Sequence, residues 1–97
     1  MNIKNLVKFA LYIEDDNQGD LAHELNSYQS AISDALKGSG SCPDHLKQGI
    51  SLYTEDALVK FLKELLPKWA YSTDRKEDGI RVYVKRYINQ KWKEIGK

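Results

Sequence analysis

The chain has 97 residues, with 15 Lys and Arg, 14 Asp and Glu, two His and a formal charge of +1. Hydrophobic residues make up 41% and charged residues 30%, the balance of a globular domain and not of a disordered chain. The longest uncharged apolar run is a few residues, too short for a membrane-spanning helix, and a lone Cys42 excludes an intramolecular disulfide.

A chain this long buries roughly two-thirds of its unfolded surface, enough for one core, so residues 1–97 read as a single domain. The opening "MNIKNLVKFALYIEDD" has Lys8 inside its apolar stretch and acids after it, unlike a secretory signal. With a single cysteine, the expected location is cytoplasmic. The charge is uneven. Residues 1–59 hold four Lys against nine acids, a net −5, whereas residues 60–97 hold eleven basic residues against five acids, a net +6. Either the two halves fold against each other and their fields largely cancel, or the basic half faces a negative partner.

In chain order, Ile3, Leu6, Val7, Ala10 and Leu11 fall at helical spacing and predict a helix over 3–14. "DDNQGD" interrupts it. Asp20 is a candidate N-cap for a second helix over 20–37, with Leu21, Leu25, Tyr28, Ile32, Ala35 and Leu36 on its apolar stripe and Gly38 ending it. Residues 38–50 read as a crossover in which Pro43 opens a short turn over 43–48, closed by Gly49.

Thr54, followed by Glu55 and Asp56, predicts the start of a third helix over 54–71, with Tyr53 and Leu58 placed for a hydrophobic staple. Pro67 should kink it or force a fresh turn. Asp74, three residues before Glu77, marks a capping pattern for a last helix over 75–95. Here "IRVYV" also alternates as a strand would, so a strand over 79–85 is the alternative. Helical spacing gathers Ile80, Tyr83, Val84, Tyr87, Ile88 and Ile95 into one stripe and leaves Lys85, Arg86, Asn89 and Lys93 opposite, with Val82 exposed and Lys91 inside the apolar stripe. The fold expected is all-α, a compact bundle of about four helices; the alternative is α+β.

No constellation fixes an activity. Placed on an EF-hand template with Gly19 at position 6, "EDDNQGD" puts Leu25 where the bidentate Glu belongs. Cys42, Asp44, His45 and His23 lack the second ligand pair of a structural zinc site. Cys42 and His45 lack a residue to orient the imidazole, although a thiol at a helix start can have a lowered pKa. "GSGSCP" has no phosphate-loop lysine. The expectation is a protein that is not an enzyme and needs neither cofactor nor metal.

What remains is the basic, aromatic C-terminal segment. Arg81, Lys85, Arg86 and Lys93, with Trp92 or Tyr83 nearby, form the candidate partner-binding surface. The leading expectation is a small protein-binding module, an inhibitor, immunity or regulatory protein, that recognises a partner with an acidic surface. The alternative is nucleic-acid binding, with Lys91 added to the phosphate contacts and Tyr83, Tyr87 or Trp92 stacking on bases. A sequence pI near 7.8 is low for that role. A homodimer that shields the C-terminal aromatics is a third possibility; no membrane is implied. Size, helical pattern and lack of a catalytic set are similar to those of many small binding proteins. Bacteriocin immunity proteins and phage-encoded inhibitors of host defence are among them, but no motif is shared, and the likeness implies only a bacterial or phage accessory role.

Overall fold

A computed structural model describes residues 1–38, 42–70 and 73–95. Within them the chain is all-helical: α1 (Ile3–Glu14), α2 (Gln18–Glu24), α3 (Gln29–Lys37), α4 (Asp44–Leu65), a 3-10 turn (Lys68–Ala70) and α5 (Asp74–Ile95). The strand alternative for 79–85 does not form, because those residues lie inside α5.

The first helix follows its apolar spacing, with Ile3, Leu6, Val7, Ala10 and Leu11 all buried. Asn2 caps it, its side-chain oxygen accepting from the Asn5 N–H at 2.8 Å. Asp15 closes it in the left-handed conformation, φ 56°. The Asp16 N–H then reaches back to Leu11 O and the Asp15 N–H to Tyr12 O, the paired bonds of a Schellman ending.

The expected 20–37 helix is two helices. The cap is Asn17 and not Asp20: Asn17 Oδ1 accepts from the Asp20 N–H at 2.8 Å, and Asp20 Oδ2 accepts from the Asn17 N–H at 3.0 Å. The break follows Glu24. Asn26 turns left-handed, φ 56°, while Ser27 N–H bonds Ala22 O and Asn26 N–H bonds His23 O. Asparagine tolerates that conformation without glycine's freedom, which explains why no glycine marks the break. Tyr28 consequently leaves the expected apolar stripe and lies exposed before α3.

The 43–48 turn and the 54–71 helix are instead one 22-residue helix, α4, that ends at Leu65. Gly49 does not close a turn. It sits inside α4 where an added Cβ would meet Leu25 Cδ2 at 2.8 Å, so its bareness lets the end of α2 approach closely. Thr54 is not a cap either. It is fully buried, and its Oγ1 donates to Ile50 O one turn back at 2.8 Å, which satisfies the hydroxyl inside the helix. The Tyr53–Leu58 staple therefore has no helix start to serve. Pro67 forces the fresh turn expected of it, over Lys68–Ala70. Tyr71 and residues 39–41 of the crossover lie outside the described residues.

The last helix begins at Asp74, and Thr73 is its cap, accepting from the Lys76 N–H at 3.3 Å. The Glu77 side chain, expected in a capping box, instead pairs with Lys63 at 3.0 Å. α4 packs on both α1 and α5, and α2 packs on α3. Their buried faces join in one cluster that includes Ile3, Val7, Leu21, Ile32, Ile50, Val84, Ile88 and Trp92. Phe9 and Phe61 meet edge to face, ring centres 5.1 Å apart, across α1 and α4. No helix among the described residues is long and apolar enough to cross a membrane.

Two consequences are measurable. Gly38 ends α3 at φ +72°, and an added Cβ would collide with Ile95 Cγ2. Gly38→Ala should therefore cost about 1–2 kcal/mol or more, read from the urea midpoint at unchanged slope. Tyr53 donates its hydroxyl to Asp16 Oδ2 at 2.6 Å, and burial, then this hydrogen bond, pushes the phenol well above its ordinary value. The unfolded chain therefore loses this proton near pH 10 while the folded chain keeps it, so stability should fall as pH rises above about 10. Tyr53→Phe should flatten that fall while costing about 1 kcal/mol at neutral pH, as seen in urea titrations at both pH values.

Candidate functional site

The basic C-terminal segment is helix α5, and the partners of its side chains show how it lies. Lys63 meets Glu77, Asp56 meets Arg81, Glu55 meets Lys85, and Ser51 meets Trp92. One number falls as the other rises, so α5 runs antiparallel along α4. At 3.6 residues per turn, the helix then presents three directions: one into the core, one along the α4 seam, and one outward.

The core side holds Val84, Ile88 and Trp92, all buried, with Ile80, Tyr87 and Ile95 at its margin. Lys91 also lies largely covered, its Nζ 5.1 Å from the centre of the Tyr87 ring and 3.2 Å from Glu94 Oε1. Its methylenes cover apolar surface while the ammonium reaches a partner, as its place in the apolar stripe requires.

Trp92 corrects the sequence expectation of an aromatic anchor for a partner. It is 6% exposed, and its Nε1 donates to Ser51 Oγ at 2.7 Å. Lys47 Nζ stands 5.6 Å from its ring centre. Both its ring and its polar handle serve the α4–α5 contact.

Along the seam, Arg81 donates to Asp56 Oδ1 at 2.8 Å and lies 3.4 Å from Glu55 Oε2. The bond to Asp56 raises the guanidinium's pKa, against the opposing pull of desolvation. Lys85 Nζ is 3.8 Å from Glu55 Oε1. Two of the four candidate basic residues are thus engaged by acids of the first half of the chain. Lys60 with Glu14, at 3.8 Å, adds a further link between the acidic and basic halves.

The outward side is different. Tyr83 is 70% exposed and Val82 47% exposed, and Arg86 and Lys93 lie beyond them on the same strip with Asn89 and Gln90. Neither Arg86 nor Lys93 makes an ion pair among the described residues. The structure therefore brings Tyr83, Arg86 and Lys93 together and sets Arg81 and Lys85 on an adjoining flank. It also places Tyr83 outside the apolar stripe to which spacing assigned it.

Glu55 is the polar residue that sequence reasoning misplaced. Assigned to the first turn of a helix, it lies mid-helix and buried on the α5 side. Its spacing with Ser51 and Lys47, at i−4 and i−8, was the available signal, hidden by the helix start assigned to Thr54.

The other candidate chemistries find little support in geometry. Burial raises the Cys42 thiol's pKa, the opposite direction to the lowering that a helix start can give. His23 and His45 are exposed. Among the described residues no three His, Cys, Asp or Glu side chains group to hold a metal ion. The acids after α1 act as turn and cap residues, with Asp16 accepting from Tyr53.

The division between core and surface sides of α5 is open to test. Trp92→Ala should destabilise the domain by about 3–5 kcal/mol, whereas Tyr83→Ala should stay within about 0.5 kcal/mol, both from equilibrium unfolding. Equal costs would contradict this placement.

Compared with protein-family models, with curated proteins and with solved structures, the chain matches none; the reading of its function rests on its own residues.

Proposed function

We propose that the chain is a non-enzymatic protein-binding module, of the inhibitor, immunity or regulatory kind, that meets an acidic partner surface with the outward side of α5. The observation that carries this reading is the strip itself. A valine and a tyrosine are exposed mid-helix beside an arginine and a lysine that have no ion pair among the described residues. Core packing does not require Val82 or Tyr83 in those positions. Tyrosine and arginine are the residue types that most often carry interface energy: tyrosine gives broad contact at low entropic cost, and arginine offers a fork of donors to carboxylates. From Val82 to Lys93 the strip runs about 16 Å, at 1.5 Å per residue, long enough for one helix or loop of a partner.

Arg81 and Lys85 flank this surface and contribute less. Their charge is compensated by Glu55 and Asp56, and separating them from those acids would offset part of what a partner could add. The same compensation weakens the nucleic-acid alternative, because it leaves few uncompensated cations in a row for phosphates. A reducing cytoplasm suits the single cysteine, whose thiol is partly covered.

The test is a capture experiment from the native host with the full chain as bait, with and without nuclease. Arg86→Glu and Tyr83→Ala should each weaken retention of the captured partner about tenfold while leaving the melting temperature unchanged. Retention indifferent to both substitutions would remove this surface from consideration. Loss of the partner on nuclease treatment, together with a linear fall of oligonucleotide affinity in log–log salt, would favour nucleic acid instead.

A further inference from the structure

Between α4 and α5 lies a cleft of about 450 Å³ lined by Lys47, Ser51, Leu52, Glu55, Lys85 and Ile88. It touches the outward strip of α5 only at Asn89, and it does not depend on the role proposed for that strip.

At one end of the cleft is Glu55, whose side chain is only 5% exposed. Its Oε2 is the oxygen nearer Arg81. Its Oε1 is buried and has no hydrogen-bond partner among the described residues. The Lys85 Nζ stands 3.8 Å from it, too far for a hydrogen bond. The Lys85 side chain is 64% exposed and can swing into water. Lys85 therefore covers the carboxylate without bonding it. Buried carboxylate oxygens are ordinarily hydrogen-bonded, and an N⁺–H donor normally sits about 2.7–2.9 Å from such an oxygen.

The walls specify what kind of group would fit better than Lys85. Leu52 and Ile88 are apolar and suit an aliphatic stem, while Ser51 Oγ is already occupied by the Trp92 indole. Lys47 is eight residues from Glu55, about 12 Å along the helix, with its ammonium at the Trp92 ring. Among the described residues no lysine other than Lys85 pairs with Glu55. A cationic group entering here would preserve the charge balance that Lys85 now provides, whereas an anion would meet the carboxylate directly.

We propose that this cleft binds an alkylammonium or alkylguanidinium group, whose N–H donor takes Glu55 Oε1 in place of Lys85 and whose stem lies on Leu52 and Ile88. The group could be supplied by a free amine or guanidine, or by a lysine or arginine side chain of another polypeptide. The chemistry is the same, and the test separates the two sources.

The full chain, labelled with nitrogen-15, is titrated by two-dimensional NMR with agmatine, n-butylamine and acetyl-Gly-Arg-Gly-amide, with tetramethylammonium as a cation that lacks an N–H. Agmatine or butylamine should shift the amides of Ser51, Leu52, Glu55, Lys85 and Ile88, and tetramethylammonium should not. Lys85→Ala removes the internal competitor and should tighten binding roughly two- to fivefold, the worth of an exposed ion pair. Glu55→Gln should weaken it at least tenfold. Tighter binding of the peptide than of agmatine assigns the cleft to a partner's side chain, and the reverse order assigns it to a free ligand. The proposal is overturned if neither the wild type nor Lys85→Ala responds to any of the three donors. It is equally overturned if tetramethylammonium gives the same shifts, or if a folded Glu55→Gln binds as well as the wild type. Should Glu55→Gln fail to fold, the Lys85→Ala and tetramethylammonium comparisons decide alone.

Discussion

The continuity of α4 through Gly49 and Thr54 is the constraint on which the rest of the domain depends. Both residues are poor helix formers, glycine because of its backbone entropy and threonine because its hydroxyl competes for backbone partners. Each is made acceptable by a tertiary circumstance. Gly49 gives Leu25 room to approach, and the Thr54 hydroxyl, fully buried, donates to Ile50 O. The resulting helix is about 33 Å long, at 1.5 Å per residue, and supplies one face to α1 and another to α5. A break at Gly49 would uncouple Leu46 from Ile50, Leu58 and Val59, which now bury their side chains in one cluster.

That continuity also decides where the charges go. A helix starting at Thr54 would put Glu55 and Asp56 in a solvated first turn, where they would complement the helix dipole. In the unbroken helix they lie along the seam with α5, one buried and one exposed, and draw Arg81 and Lys85 toward them. The negative first half and the positive second half of the chain are thereby partly neutralised across one interface. The field that survives on α5 comes from the outward strip, because Arg86 and Lys93 point away from α4 and its acids. The same seam leaves Glu55 Oε1 without a donor, since Arg81 approaches through Oε2 and Lys85 stops short.

Helices with a single regular signal were legible in the sequence. The 3–14 spacing and the stripe through Ile80, Val84 and Ile88 correspond to α1 and α5 nearly to the residue. The strand-like "IRVYV" yields to helix because its alternation ends at Lys85 while the 3.6-residue period continues to Ile95. Illegible were the places where two signals compete. Between α2 and α3 the apolar period runs unbroken, and the break is made by backbone bonds around a left-handed Asn26 that periodicity cannot register. In α4 the opposite occurred: Pro43, Gly49 and Thr54 are each a boundary signal alone, yet only Pro43 marks one. The candidate surface was legible in part. Arg86 and Lys93 could be placed opposite the core by arithmetic. The burial of Trp92 depends on its facing Ser51 across α4, a pairing that spacing within α5 cannot reveal.

The outward strip of α5 is tied to α4 near both ends, which bears on the binding proposed for it. Near the N-terminal end, Lys63 with Glu77 and Arg81 with Asp56 fix α5 to the second half of α4. Near the C-terminal end, the Trp92 indole bonded to Ser51 fixes it to the first half. Between them, buried Val84 and Ile88 supply the apolar contact. Exposed ion pairs alone contribute little to such anchoring, whereas a buried indole with its N–H satisfied contributes several-fold more. The C-terminal half should therefore be the firmer of the two. Arg86 lies between the two anchors and Lys93 directly beside the stronger one. With the backbone tied to α4 at these points, the binding proposed for the strip would cost mainly side-chain freedom. A surface prepared in this way gives up less entropy on association than a loop carrying the same residues.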